Sequence, residues 1–205
     1  MDKDELNSLE ANKRDHKIEI TDIAIEKVPY VKYKEIPDMY YNILQELAKM
    51  VLVYSRDNND CNETAITYSL DSPELYVAGE QYLAISYGDE HSVEPTKDTA
   101  SNHLIVSATG CVVIILHNHP SLSKISLQDI GYLLEFASIK MIVAVTNLGS
   151  INYIVKTDKY NRLEALKLYK EAIQKYLVAE NLNDRQEATN HFLKNCSKVG
   201  MLFEE

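Results

Sequence analysis

Positive charge is in deficit: 21 Lys and Arg stand against 31 Asp and Glu, for a formal net charge of -10. Affinity for a phosphate backbone comes mainly from Lys and Arg displacing condensed counterions, so this balance argues against nucleic acid as a partner. The cluster Val31-Lys32-Tyr33-Lys34 does not alter that, because Glu35 and Asp38 follow and make it a mixed-charge solvated surface. Cysteine is scarce as well. Cys61, Cys111 and Cys196 are few, far apart and odd in number, which excludes a disulfide framework and fits a reducing cytoplasm. Long apolar runs are missing: CVVIIL at 111–116 falls far short of the ~18 residues of a membrane span, and MDKDELNSLEANKRDHK has no signal-peptide core. Neither a membrane partner nor export is expected, and there are no internal repeats.

What is present is an ordinary globular balance, 45% hydrophobic and 25% charged, so the chain has the means to bury a core. Its 205 residues predict one core with extensions, at roughly 150 residues per domain. Residues 1–16 are charged and aperiodic, an arm; KIEITDIAIEKV at 17–28 alternates and reads as a half-exposed edge strand. From Pro37 to about Tyr54, Met39, Ile43, Leu44, Leu47 and Val51 recur at helical steps. The loop RDNNDCN leads to a strand, ETAITYSL, closed by the turn-like DSPE; LYVAG and QYLAISYG are further strand candidates. Residues 98–109 read as a helix with Gly110 as its C-cap, before CVVIIL, a buried strand that Cys111 opens as a core residue. SLQDIGYLLEFAS follows as a helix with Leu127, Ile130, Leu133, Leu134 and Ala137 on one face. KMIVAVTN and INYIVK are strands joined by a turn at Gly149.

From Lys159 onward the spacing predicts helix, roughly over 159–179 and 184–198, with Tyr160, Leu163, Leu166, Tyr169, Ile173 and Leu177 as a packing stripe. The order predicts an α/β fold, a mixed sheet flanked by helices. Its parts are an arm and edge strand over 1–30, a main domain over 31–158, and a helical extension over 159–205 packed on the same unit.

LHNHPSLSKISLQD, at 116–129, carries the chemistry. Successive side chains of a strand face opposite ways, so His117 and His119 share a face and Asn118 does not. Two imidazoles and one carboxylate are a normal catalytic zinc set, with a fourth position left for water, and Asp129 is the nearest carboxylate. Ser126 and Asp129 also have the S-x-x-D spacing of a capping box, so a metal site and a helix cap compete for the same atoms. His16, His91, His103 and His191 have no partner at ligand spacing and read as surface or core-edge histidines.

His117-Asn118-His119-Pro120-Ser121, ending a buried strand and followed by Ser126-Leu127-Gln128-Asp129 opening a helix, resembles the JAMM metallopeptidases, also called JAB or MPN+ domains. The wording HNHPS is similar to the bacterial branches, including the RadC proteins. The family pattern is a glutamate on an earlier strand, His-x-His, seven residues, Ser, two residues and Asp; here six residues, Pro120 to Ile125, precede Ser126. The resemblance implies an MPN-like curved mixed sheet and zinc held by His117, His119 and Asp129. It implies Glu63 as general base, with Glu90 in reserve, and Ser126 as oxyanion donor, with Ser121 or Ser123 replacing it if the shorter loop shifts the helix. Ala65 and Ser69 stand where the family often has glycines. The implied reaction is amide hydrolysis on a peptide or the tail of a ubiquitin-like protein. The rivals are a non-catalytic MPN-like scaffold, a RadC-like domain of unknown activity, and a PHP-type phosphoesterase, which would need further ligands.

Overall fold

Four strands are buried along nearly their whole length, and two of them take the centre of the sheet. In the computed structural model, which describes residues 17–71, 76–77, 80–81 and 84–205, these are β5 (Val113–His119) and β6 (Ile139–Thr146). Around them stand β1 (Thr64–Ser69), β4 (Ala84–Tyr87), β7 (Ile151–Lys156) and β8 (Met201–Glu204), in the order β4-β1-β5-β6-β7-β8. A separate pair joins β2 (Tyr76–Val77) to β3 (Glu80–Gln81). Every neighbouring pair of the large sheet is antiparallel except β5 and β6, which run parallel and so require a crossover. Six α-helices occur among the described residues: α1 (Asp22–Glu26), α2 (Tyr41–Asn58), α3 (Thr99–Ser107), α4 (Leu127–Glu135), α5 (Arg162–Leu177) and α6 (Leu182–Asn195). The expected mixed α/β class is therefore observed, with α4 as the crossover.

Strand alternation divides the core into two layers. Ile114 and Leu116 face α2, where Leu44, Leu47, Val51 and Leu52 lie buried; Val113 and Ile115 face the other way, toward Ile130, Leu133 and Leu134 of α4. At about 25 cal/mol per Å², each fully buried Leu or Ile contributes roughly 1.5–3 kcal/mol, so both layers are needed to hold a six-stranded sheet.

Several local expectations give way to other physics. Residues 17–28 are not an edge strand: Thr21 Oγ1 accepts from Ala24 N at 3.2 Å and starts the short helix α1, so a capping threonine overrides the alternation of isoleucines. Helix α3 stops at Ser107 and runs into an extended Ala108, so Gly110 is not its cap. Strand β5 begins only at Val113, which leaves Cys111 exposed rather than in the core. Ala137 lies beyond α4 and is exposed. Of the expected stripe, Tyr160, Leu166, Tyr169 and Ile173 pack on the core beside the buried Ala165 and Ala172, but Leu163 and Leu177 point to solvent. The tail is not helical throughout, since β8 pairs with β7 from Lys156↔Met201 to Tyr153↔Glu204; four residues are too few to show a period. Residues 1–16, with His16, and Ser72, Pro73 and Glu74 of the expected turn lie outside the described residues, as does most of LYVAG. Among the described residues, no helix is long and apolar enough to cross a membrane.

The turn between β6 and β7 is pinned against α1. Gly149 has φ +86, and a Cβ there would meet the Ala24 carbonyl oxygen at 2.2 Å. Gly149→Ala should therefore cost more than about 1 kcal/mol, read as a lower urea midpoint at unchanged m-value.

Candidate metal centre

Strand β5 ends with both imidazoles on the α4 side, and α4 begins with Asp129 in its first turn. His117 Nε2 lies 2.8 Å from His119 Nε2 and 3.1 Å from Asp129 Oδ1, and His119 Nε2 lies 3.5 Å from Asp129 Oδ2. Donors about 2.0–2.1 Å from one tetrahedral ion stand roughly 3.3 Å apart; His117 Nε2 is near that distance from Asp129 Oδ1 and somewhat closer to His119 Nε2. The donor atoms all lie within 4.8 Å of one another, and both histidines are buried. A two-imidazole, one-carboxylate set suits zinc and, by ligand type, other first-row divalent ions.

The metal site and the helix cap do not exclude each other, because the carboxylate divides its two oxygens. Asp129 Oδ2 accepts from Ser126 N and Ser126 Oγ, each at 2.7 Å, while Ser126 Oγ accepts from Asp129 N at 3.1 Å. Asp129 Oδ1 is thereby left facing His117. The capping box satisfies the free N–H groups of α4 and also fixes the ligand's rotamer.

The six-residue loop reaches this arrangement by hydrogen bonds of its own. Ile125 N donates to Asn152 Oδ1 at 2.9 Å, Ser123 N donates to Ser121 Oγ at 3.2 Å, and Ser121 Oγ donates to Ser123 Oγ at 2.9 Å. Ser121 and Ser123 are thus turn residues, and of the three serines only Ser126 borders the cleft. His119 Nδ1 donates to the Ser123 carbonyl at 2.9 Å, which directs Nε2 at the cluster, as an orienting partner does for a metal-bound imidazole.

Charge within the cluster is strongly coupled. Burial lowers the His119 pKa, but the bond and charge of Asp129 outweigh it and push the group up to about 9. Burial raises Asp129, yet the charges of His117 and His119 and their bonds to it hold the carboxyl well below the usual range.

Glu63 stands just before β1, clamped to the opposite chain by Glu63 N donating to Asp89 O and Gly88 N donating to Glu63 O, both at 2.8 Å. Its carboxyl borders the same cleft as His117, Ser126 and Asp129. Burial pushes it up to about 7, against the pull of the two imidazoles. That puts a carboxyl able to take or give a proton near neutrality beside the cluster. Glu90 is exposed and does not border the cleft. His103 is exposed, and His191 lies 3.4 Å from Glu171 on the C-terminal helices, away from the cluster; His91 is exposed at the cleft rim.

Sequence reasoning passed over Asn118. Its side chain turns to the α2 side, where Nδ2 lies 3.1 Å from Asn62 O and 2.8 Å from Asn147 Oδ1, and Oδ1 accepts from Thr64 N at 2.7 Å. These bonds grip the residues on either side of Glu63. Asn147 Nδ2 extends the network to Ile18 O and Cys61 O. The available signal was an amide at a fully buried strand position, where a partner must exist.

Two substitutions test the arrangement. Ser126→Ala should cost about 1 kcal/mol of stability through the lost cap and about 10–100-fold in divalent-metal affinity, measured by competition with a chelating dye. Asn118→Ala should cost on the order of 2–3 kcal/mol, read by urea unfolding, because it strands a buried donor and acceptor. Compared with known proteins, the chain matches no family model, no curated protein and no solved structure, so the resemblance to JAMM metallopeptidases stands on these site residues alone.

Proposed function

We propose that the protein is a zinc-dependent peptidase or isopeptidase that hydrolyses an amide bond in a peptide or at the C-terminal tail of a ubiquitin-like protein. One observation carries this reading: three ligand atoms, from His117, His119 and Asp129, converge beside a cleft that His117, Asp129 and the buried Glu63 all line. Zinc bound there would supply Lewis acidity, polarising the substrate carbonyl and making water acidic enough to lose a proton near neutral pH. Glu63 takes that proton and returns it to the leaving amine, a task suited to a carboxyl whose pKa is near 7. Ser126 holds Asp129 in the resting arrangement; to serve as an oxyanion donor, its hydroxyl proton must leave Asp129 Oδ2 for the substrate.

Two further features support an extended peptide as the substrate. Strand β4 is an edge of the sheet, open to an added strand whose side chains, about 14 Å or three strand spacings from β5, would extend toward the cluster end of the sheet. The net charge of -10 favours a partner without excess acid. All three cysteines are free, in keeping with a reducing cytoplasm.

Metal analysis and turnover test the reading together. Purified protein should carry about one divalent ion per chain, lost in His119→Ala. Glu63→Gln should keep the ion and lose about 10²–10⁴-fold in kcat on a tail-amide substrate. A folded protein that takes up no divalent metal would remove the hydrolase reading, and equal turnover by wild type and Glu63→Gln would remove Glu63 from its role.

A further inference from the structure

The cleft beside the cluster has two ends of different chemistry. Its polar groups gather at one end, where Glu63, His117, Ser126 and Asp129 meet. The other end is built from Val93, Pro95, Ile115, Tyr132 and Ile142. Alternation explains the change: Ile115 precedes His117 by two residues on the same face of β5, and Ile142 of β6 lies directly beside Ile115. On α4, Tyr132 follows Asp129 by three residues and so lines the same side one turn further on. Tyr132 brings no free polar group, since its Oη accepts from Thr96 N at 3.1 Å. That bond also fastens the segment carrying Val93 and Pro95 over the helix. The remaining polar lining side chains, His91, Glu94 and Gln128, are all exposed, and Glu94 pairs with Lys97 at 3.0 Å.

We infer that this apolar end is a specificity pocket, and that the substrate carries an aliphatic side chain on the residue flanking the amide that is cut. The inference rests on the hydrolase reading and narrows its substrate class. Two strand residues span about 7 Å, the distance from His117 back to Ile115, and an aliphatic side chain that extends about 4–5 Å from a carbonyl held at the cluster would come into contact with Ile115. A polar side chain would find no partner in the pocket and would lose its hydration. A tail ending in glycine would leave Ile115, Ile142 and Tyr132 uncovered, so it fits this cleft less well than an aliphatic residue does.

The test uses the metal-loaded full chain and a series of peptide amides differing only in the residue flanking the cut, leucine, valine, serine or glycine. The leucine or valine member should exceed the glycine and serine members at least tenfold in kcat/KM, since one methylene in an apolar pocket already discriminates about 10–200-fold. A smaller ratio overturns the pocket and leaves the hydrolase reading in place. A second measurement is independent of turnover: in metal-free protein with labelled isoleucine methyls, N-acetyl-leucinamide should shift the Ile115 and Ile142 signals, and N-acetyl-glycinamide should not. Shifts without cleavage of any peptide would keep the pocket and remove the hydrolase reading; absent shifts would overturn the pocket. Val93→Trp, which fills the cleft from a half-buried loop position, should abolish both the leucine preference and the methyl shifts.

Discussion

The parallel pairing of β5 with β6 is the constraint from which the site follows. Parallel neighbours cannot be joined by a tight turn, so the chain must leave the C-terminal end of β5, cross the sheet as a helix and enter β6 from the far end. The N-terminus of α4 is thereby brought back beside the last residues of β5, where open α/β sheets place their ligands. Two histidines at the end of that strand and an aspartate in the first turn of that helix are neighbours by topology before any side-chain preference acts. The remaining freedom is the rotamer of Asp129, and the capping box removes it.

The same topology lets the six residues from Pro120 to Ile125 bring the end of β5 and the start of α4 together. The loop needs only to deliver Ser126 to the N-cap position, and it is tied at both ends: Ile125 to Asn152 of β7, and Ser123 to His119. Once Ser126 caps α4, the spacing of three residues sets Asp129 without further help from the loop. Ser126 stabilises the helix and orients a candidate ligand through the same two atoms.

Legibility in the sequence followed the strength of periodic signals. The buried strand at β5, the amphipathic faces of α2 and α4 and the β6–β7 hairpin were readable because each repeats its period several times or carries an apolar run with a turn residue. The helix α1 was hidden, because a single Thr21 cap outweighed an alternating pattern of isoleucines, and β8 was hidden by its length. On α5 the stripe was readable in part: Leu166, Tyr169 and Ile173 pack on the core, whereas Leu163 and Leu177 are exposed and the closest packing is made by Ala165 and Ala172. At the site, residue types and order pointed to His117, His119 and Asp129, and the family resemblance to Glu63, but neither pointed to how the two oxygens of Asp129 are shared. Asn118 was invisible for a different reason: its role lies in bonds to residues 62, 64 and 147, which only the folded sheet brings together.

Those bonds also make the strand's register a condition of the chemistry. A slip of one residue in β5 would turn both imidazoles into the apolar layer under α2 and put the Asn118 amide where the ligands belong. The small side chains beside His117 guard against that slip. Its cross-strand partners are Ala65 in β1 and Ala144 in β6, both wholly buried, and they leave room on the α4 side for an imidazole. On the opposite face the Asn118 amide locks the same register through the backbone around Glu63, so the metal ligands and the candidate base are aligned by one strand. Replacing Ala65 by a larger residue would press on His117 from the side while leaving the Asn118 network intact, which separates the two constraints physically.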